Sequence, residues 1–217
     1  MNIGPGIFFC LMEKKTLKRI LLIRHCESTH AGKRYIGRTD TPLTPTGKEQ
    51  ALRLAVRLKP VPVDRVVASP SLRALDTAGP VVEERGLSIE VDEELREVDF
   101  GEWEELSFEE IRRKDPEMVA EWARGGMDFR FPGGESLSAF GNRVRRAGNR
   151  LISLPDEGIL VVTHGGVVRF MLCHFLGLPP QSHLMFDIRP GSITTLHLDR
   201  GYAVLTGLND CCHLEES

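Results

Sequence analysis

Short, continuous apolar runs alternate along this chain with segments of helical periodicity, and this alternation constrains the fold more than any other feature. Continuous apolar runs are typical of parallel strands buried on both faces, and their alternation with helices predicts a sheet covered by helices on both sides. Predicted strands cover residues 19–24, 63–68, 89–91, 159–163, 192–198 and 203–208. Predicted helices cover residues 47–58, 71–84, 107–113, 116–124, 136–154 and 166–176. We expect a three-layer α/β/α fold with a mostly parallel central sheet, in which the last two strands form an antiparallel hairpin through a turn at 199–201.

The length of 217 residues predicts one domain, which we assign to residues 19–208. Residues 1–18 form an N-terminal extension, either a loose tail or a start assigned upstream of a true first residue at Met12. Residues 209–217 form a C-terminal tail. Within the domain, residues 95–135 hold both tryptophans and many charges, which predicts an excursion from the sheet that serves as a lid or side wall over a site.

The composition is that of an ordinary globular protein, with 41% hydrophobic residues, 27% charged residues and a net charge of −3. This charge argues against a general nucleic-acid or membrane-surface binder. No apolar stretch approaches the roughly 20 residues that span a bilayer. Apolar residues 7–12 lack the preceding basic region and the cleavage site of a signal peptide, so we expect a cytoplasmic protein.

The cysteines predict neither a disulfide framework nor a structural zinc site, because their number is odd, at five, and no CxxC spacing occurs. The run from Cys211 to His213 has two interpretations, an adventitious metal site or a disordered tail, and we expect the disordered tail.

Three predicted strands end in polar residues, and these ends carry the chemistry. The first ends in Arg24-His25, the second in Ser69 one turn before Arg73, and the fourth in His164-Gly165-Gly166. Because the carboxyl ends of parallel strands meet at one edge of a sheet, two arginines and two histidines are expected to converge there. Each signature taken singly has a structural interpretation, but their occurrence together favours a function.

The residue types at this edge suit phosphoryl transfer. Arginine forks match the oxygens of a phosphate dianion, and the same cations keep a nucleophilic imidazole at His25 uncharged. His164 can donate a proton to the transferring group, while glycine at Gly165 and Gly166 lets the backbone approach it, with the helix N-terminus directed at the anion. A leaving alkoxide needs a proton, for which Glu97 is the candidate acid. Spacing alone does not separate Glu97 from its acidic neighbours Glu93, Glu94, Asp99 and Glu102.

Six segments resemble the motifs of the histidine phosphatase superfamily, which includes the cofactor-dependent phosphoglycerate mutases. The segment from Leu22 to Ser28 resembles the RHGE[TS] signature. The segment from Gly37 to Thr44, together with Gly47, resembles the motif G-x-x-D-x-P-L-[TS]-x-x-G, and the segment from Ser69 to Ala78 resembles the motif S-x-x-x-R-A-x-x-T-A. Residues 95–104 resemble the acid-bearing loop, residues 133–136 the GGES before a long helix, and residues 161–166 the final motif. The resemblance covers about residues 19–208.

The resemblance implies a phosphomonoesterase that works through a phosphohistidine and needs no metal or cofactor. It implies a nucleophile at His25, a proton donor at Glu97, and phosphate binding by Arg24, Arg73 and His164. Substrate contacts are implied at four further positions, which are Ser28, Gly37, Thr39 and Gly165. The expected partner is a small phosphorylated metabolite, without nucleic acid or membrane.

Within the superfamily, the short length and the motif forms resemble the α-ribazole phosphatases of cobalamin synthesis. A broad-specificity phosphatase, a phosphoglycerate mutase and a non-catalytic phosphate-binding module stay open as alternatives. A homodimer paired through the final hairpin is a further expectation.

The sequence departs from the family pattern at several positions. Cys26 replaces the usual glycine after the nucleophile, which predicts either a reactive thiolate beside a cationic pocket or a buried, inert thiol. It is not the nucleophile of a cysteine phosphatase, because Gly32 and not arginine stands six positions on. The segment between Glu27 and Arg34 is one residue short and lacks an asparagine, and Glu105 stands where glycine often follows Trp-Glu. The aromatic residues of the excursion predict either an apolar wall for a nucleobase-like group or ordinary core; they are Trp103, Trp122, Phe129 and Phe131.

Overall fold

A computed structural model describes residues 17–30, 32–199 and 202–215, and these residues form a six-stranded mixed sheet between two layers of helices. The strands are β1 (Lys18–Arg24), β2 (Arg65–Ala68), β3 (Ile89–Val91), β4 (Gly158–Thr163), β5 (Ile193–Asp199) and β6 (Tyr202–Asp210). Their order across the sheet is β3-β2-β4-β1-β5-β6. The first four strands in this order are parallel, while β5 is antiparallel to both β1 and β6. The predicted fold class is therefore confirmed.

The described residues form six α-helices close to their predicted positions, and four of these helices cover the sheet. The six helices are α1 (Pro45–Leu58), α2 (Leu72–Arg85), α3 (Phe108–Lys114), α4 (Pro116–Ala123), α5 (Leu137–Ser153) and α6 (Gly165–Phe175). Local chemistry sets their starts: the Thr44 side chain accepts a hydrogen bond from the Gly47 amide at the first turn of α1. At the start of α3, Ser107 and Glu110 form a reciprocal capping box.

The sheet separates two apolar cores. Alternate side chains of β1 point to opposite faces, so that Leu21 and Ile23 pack with α1 and α2 while Ile20 and Leu22 pack with α5 and α6. All six residues of β4 are buried, as expected for a central strand covered on both faces. The helical periodicity of residues 136–154 predicts one apolar stripe. It is buried at five positions of α5, namely Leu137, Phe140, Val144, Ala147 and Leu151, and half-buried at Leu154, just past the helix.

Residues 95–135 leave the sheet as predicted and contain α3, α4 and a short 3₁₀ helix at Gly101–Trp103. The excursion returns to its own start, because the Glu102 amide donates to the Pro132 carbonyl and the Glu135 amide donates to the Asp99 carbonyl. Glycine is required where these segments cross: a Cβ on Gly134 would lie 2.4 Å from the Asp99 carbonyl oxygen.

The ends of the domain differ from the prediction. β1 starts at Lys18, one residue before the predicted boundary, and the rest of the predicted extension, residues 1–16, lies outside the described residues. Within the predicted C-terminal tail of residues 209–217, the disorder expected for the run from Cys211 to His213 is wrong. There β6 continues to Asp210, and a 3₁₀ helix at Cys212–Leu214 packs against α1. Of the predicted turn at 199–201, Arg200 and Gly201 lie outside the described residues.

Two absences hold for the part of the chain that the structure describes. It contains no cluster of three or more His, Cys, Asp or Glu side chains placed to hold a metal ion. It also contains no helix with the length and apolar character needed to cross a membrane. The homodimer stays a prediction, with β6 at an edge of the sheet.

Candidate active site

The structure brings the three polar strand ends together at one edge of the sheet. β4 lies between β1 and β2, with Thr163 paired to Arg24 and Val162 paired to Ala68. The next residues along these strands are therefore neighbours: the rings of His25 and His164 lie 5.2 Å apart, and His164 Nε2 lies 2.8 Å from the Ser69 hydroxyl. Parallel strand order alone accounts for this convergence.

His25 is held as a neutral imidazole with a defined tautomer. Its Nδ1 lies 2.8 Å from the Cys26 carbonyl oxygen. A carbonyl only accepts hydrogen bonds, so Nδ1 carries the proton and Nε2 keeps a free lone pair. Burial, followed by the charges of Arg73 and Arg24, holds the pKa of His25 well below its ordinary value of 6.5. Burial and the same two arginines, together with His25, also lower the pKa of His164 well below that value.

Arg73 is buried and is oriented by two backbone carbonyls. Its Nη1 donates to the Thr39 carbonyl and its Nη2 donates to the Gly37 carbonyl, each at 2.8 Å. Gly37 has no room for a side chain, since a Cβ would lie 2.0 Å from the Val98 carbonyl oxygen. Gly37 and Thr39, predicted as substrate contacts, therefore hold Arg73, and neither is among the residues that line the cavity in front of His25.

The Glu104 carboxylate holds the loop of residues 37–39, and the sequence analysis did not identify this role. It accepts hydrogen bonds from the amides of Gly37, Arg38, Thr39 and Phe100 and from the Thr39 hydroxyl, at 2.8–3.4 Å. The only available signal was its place in the acid-bearing motif, where spacing does not distinguish a structural carboxylate from a reacting one.

Arg24 donates from Nη1 to the Ile188 carbonyl at 2.6 Å, which turns its guanidinium across the strand ends. Gly165 lies against it, because a Cβ there would be 3.4 Å from the Arg24 Cζ atom. Two buried polar atoms at this edge, Arg24 Nε and His164 Nδ1, have no hydrogen-bond partner among the described residues. Ser28 is buried and lines the cavity, and its contact with substrate stays a prediction.

Glu97 is the acidic group of its segment that faces the cavity. Its Oε2 accepts the Gly166 amide at 2.9 Å, and its Oε1 accepts the Val98 amide at 3.0 Å. A Cβ on Gly166 would lie 2.3 Å from Glu97 Oε1, so only glycine allows this contact. The other four acidic candidates are engaged elsewhere: Glu93 binds Arg96, Glu94 binds Arg146 and Arg150, Asp99 binds the Gly101 amide, and Glu102 binds Lys114.

Two cavities meet at this site. A cavity of about 320 Å³ is lined by Arg24, His25, Arg73 and Glu97. A second, of about 530 Å³, is lined mainly by apolar and aromatic side chains of the excursion and of α6. Four residues line both cavities, namely Tyr35, Glu97, Phe100 and Phe108. The site therefore combines a cationic pocket with a contiguous apolar one.

The four aromatic residues singled out in the sequence divide between the two expected roles. Trp103 and Phe129 belong to the core: both are buried, and the Trp103 indole donates to Asp115. Trp122 and Phe131 line the larger cavity. Trp122 is half-buried, with its ring 5.8 Å from that of Tyr35, whereas Phe131 is 2% exposed and also belongs to the core.

Cys26 is an inert thiol. It is fully buried, and this burial raises its pKa to about 12. The prediction of a reactive thiolate is therefore wrong, because burial excludes the water that a thiolate needs. Its backbone is outside the left-handed region, so glycine is not required there. Glu105, by contrast, has φ of +62° at the position where glycine is usual.

Comparisons with known proteins agree with this geometry. The profile of the histidine phosphatase superfamily (branch 1) matches residues 20–211. The chain is 33% identical to the adenosylcobalamin/α-ribazole phosphatase of Salmonella typhimurium, over 88% of this chain and 96% of that protein. It is 31% identical to phosphoserine phosphatase 1 of Hydrogenobacter thermophilus, over 91% of this chain and 95% of that protein. The crystal structure of the α-ribazole phosphatase from Shigella flexneri superposes with a TM-score of 0.83 at 32% identity, covering 88% of this chain and 96% of that one.

Proposed function

Since this chain belongs to branch 1 of the histidine phosphatase superfamily and is a phosphoric monoester hydrolase, we propose that it works through a phosphohistidine formed at His25. We further propose α-ribazole 5′-phosphate as its substrate. The observation that carries the first proposal is the neutral His25 ring, with its free Nε2 beside two arginines at the floor of an open cavity.

In the first step, His25 Nε2 attacks phosphorus, so that a P–N bond forms while the P–O bond to the leaving group breaks. Arg24, Arg73 and His164 bind the oxygens of the transferring group, whose stabilisation is the main task in phosphoryl transfer. The orphaned Arg24 Nε and His164 Nδ1 support this role, since an anion bound in the cavity supplies a partner for buried polar atoms.

Glu97 handles the protons of both steps. Its carboxyl gives a proton to the leaving oxygen as the P–O bond breaks. In the second step it takes a proton from the water that attacks the phosphohistidine, the P–N bond breaks, and inorganic phosphate leaves. Its position at the junction of the two cavities supports this assignment, because the leaving oxygen lies between the phosphate and the leaving group.

The phosphohistidine proposal is tested by hydrolysis of p-nitrophenyl phosphate and α-ribazole 5′-phosphate in the presence of EDTA, with wild type and His25→Ala. We expect activity in the wild type and none in the variant. Rapid quenching of the wild type should trap an acid-labile, base-stable phosphoprotein with phosphorus on His25. Phosphorus on another side chain, or full activity of His25→Ala, overturns the proposal. Wild type that binds phosphate but hydrolyses no ester identifies a binding module.

The larger cavity supports the substrate proposal. It is walled by Tyr35, Phe100, Trp122 and Phe131, and it opens onto the cationic pocket. α-Ribazole 5′-phosphate places an apolar benzimidazole one ribose away from its phosphate, which matches an apolar cavity beside a phosphate pocket. Aromatic walls favour such a planar base through stacking.

Trp122→Ala tests this assignment, because the side chain lines the larger cavity and not the smaller one. We expect kcat/KM for α-ribazole 5′-phosphate to fall about tenfold or more, and kcat/KM for ribose 5-phosphate, which lacks the base, to change less than about twofold. Equal losses on both esters contradict the assignment.

Phosphoserine is the second candidate substrate. Lys33 and Arg34 line the mouth of the smaller cavity, and cations there suit the carboxylate of that ester. A kcat/KM for O-phosphoserine well above that for α-ribazole 5′-phosphate would identify phosphoserine as the better substrate and overturn the α-ribazole proposal. Isomerisation of 3-phosphoglycerate faster than hydrolysis would identify a mutase.

A further inference from the structure

We propose that Arg143 and Glu135 act together as positioning residues that hold the backbone of residues 94–97, and so keep the Glu97 carboxyl at the junction of the two cavities. This inference rests on the proposed role of Glu97 as proton donor. Neither residue lines the phosphate cavity. The charge of Arg143 makes a minor contribution to the lowered pKa of His164, and a lysine at position 143 keeps that charge, so a change to lysine tests the backbone contacts.

All three nitrogen atoms of the Arg143 guanidinium donate hydrogen bonds. Its Nε and Nη2 donate to the two oxygens of Glu135, at 2.8 and 3.0 Å. Its Nη1 donates to the carbonyls of Glu94 and Arg96, at 2.8 and 2.6 Å, and Nη2 also donates to the Glu97 carbonyl at 2.8 Å. Lysine has no such planar array, so this site depends on arginine and not on positive charge alone.

Residues 94–97 have no regular partner in the sheet, and their carbonyls are satisfied from the side of the core. Arg143 binds three of the four, and the Thr163 hydroxyl donates to the remaining one, that of Leu95, at 2.7 Å. Four consecutive carbonyls thus point towards the core, which fixes the direction in which the intervening side chains project. Glu97 projects to the first turn of α6, where its carboxylate accepts a hydrogen bond from the Gly166 amide.

Glu135 is brought to Arg143 by the return of the excursion. The Glu135 amide donates to the Asp99 carbonyl at 3.0 Å, next to the close approach of Gly134 and Gly101. The ion pair is nearly closed to solvent, with exposed fractions of 8% for the Arg143 side chain and 14% for Glu135. A buried ion pair is weak evidence of stabilisation, because desolvation of the two charges offsets much of their attraction. The contacts of Arg143 to residues 94–97 indicate that this ion pair positions the acid-bearing segment.

The test exploits the leaving group. Nitrophenolate is a stable anion that leaves without a proton, whereas the alkoxide of a sugar phosphate needs one. A displaced Glu97 therefore slows transfer from ribose 5-phosphate far more than transfer from p-nitrophenyl phosphate. For Arg143→Lys we expect kcat/KM to fall about 30-fold on ribose 5-phosphate and less than about threefold on p-nitrophenyl phosphate.

Glu135→Gln provides a second variant that keeps the size of the side chain, for use where Arg143→Lys does not fold. It sets an amide NH₂ against the guanidinium, and we expect the same selective loss. Arg145→Lys is the matched control: it lies on the same helix with an exposed side chain, and both activities should stay within about twofold of wild type. The double variant Glu97→Gln/Arg143→Lys should lose no more activity on ribose 5-phosphate than Glu97→Gln alone.

The outcomes separate this inference from the proposed function. Equal losses of kcat/KM on both esters would mean that Arg143 and Glu135 only stabilise the fold. No loss on either ester would mean that residues 94–97 keep their conformation without these two side chains. Both results overturn the inference. Inactive wild type, or active His25→Ala, would instead overturn the proposed function.

Discussion

Replacement of Glu104 by glutamine should destabilise the protein and impair the phosphate site through the same contacts. The carboxylate accepts two backbone amides at Oε1, those of Arg38 and Phe100, and two more at Oε2, those of Gly37 and Thr39. The Thr39 hydroxyl also donates to Oε2, but a hydroxyl can rotate to become an acceptor. Whichever of the two carboxylate oxygens is replaced by the NH₂ group of glutamine, two backbone amides lose their acceptor and face a donor instead.

The magnitude follows from these two amides. A buried donor without an acceptor costs about 1–3 kcal/mol. The hydrogen bonds of the Gly37, Thr39 and Phe100 amides are partly buried and that of Arg38 is exposed, so the lower part of that range applies. Glu104→Gln should therefore lower the free energy of unfolding by about 2–3 kcal/mol, which corresponds to a fall in Tm of roughly 4–12 °C. Because Gly37 and Thr39 also hold Arg73, kcat/KM at 25 °C should fall by about tenfold or more even where the variant is fully folded.

Urea denaturation gives the stability, and p-nitrophenyl phosphate hydrolysis gives the activity. Glu102→Gln is the matched control, since this carboxylate is exposed and, among the residues that the structure describes, binds Lys114 alone, at 3.0 Å. Its removal should change stability by less than about 0.5 kcal/mol. A loss below about 1 kcal/mol for Glu104→Gln, or a loss equal to that of the control, would refute the hydrogen-bond argument.

Three further predictions concern His25, Cys26 and Glu105. The lowered pKa of His25 means that its NMR ring signals should stay those of the neutral form well below pH 6.5, and a midpoint at or above 6.5 would contradict this. In the unfolded chain His25 binds a proton near pH 6.5, whereas in the native state its lowered pKa keeps it neutral there. The free energy of unfolding measured in urea should therefore fall as the pH is lowered from 6.5, and a constant value would contradict this. Iodoacetamide should label Cys26, whose pKa is raised to about 12, only after unfolding, while the exposed Cys212 reacts in the native state; labelling of Cys26 at the rate of Cys212 counts against the inert thiol. Glu105→Gly should raise the free energy of unfolding by up to about 1 kcal/mol, since Glu105 is exposed and has φ of +62°, and a loss of stability would show that the left-handed backbone carries no strain.

The convergence of His25, Ser69 and His164 was predictable from the sequence alone. Continuous apolar runs identify parallel buried strands, and the carboxyl ends of such strands meet wherever the strands are neighbours. This inference needs no contact of any side chain, and the observed strand order, with β4 between β1 and β2, is what makes the three strand ends neighbours. The helices were predictable for a similar reason, because the apolar stripe of α5 or the caps of α1 and α3 act within a few residues of chain.

The choice of Glu97 among five acidic residues depended on the tertiary structure. Its neighbours differ from it only in what lies across from them: Glu94 meets two arginines of α5, whereas Glu97 meets the Gly166 amide. The inertness of Cys26 has the same origin, because burial is a collective property of the residues around the thiol.

What the sequence by itself determined is the set of candidate groups and the edge of the sheet where they meet, because residue type and periodicity are local. Only the tertiary structure decided what holds those groups. Arg73 and Arg143 are oriented by backbone carbonyls of distant loops. Every residue type carries the same carbonyl, so a contact of this kind leaves no mark in the sequence and appears only when the chain has folded.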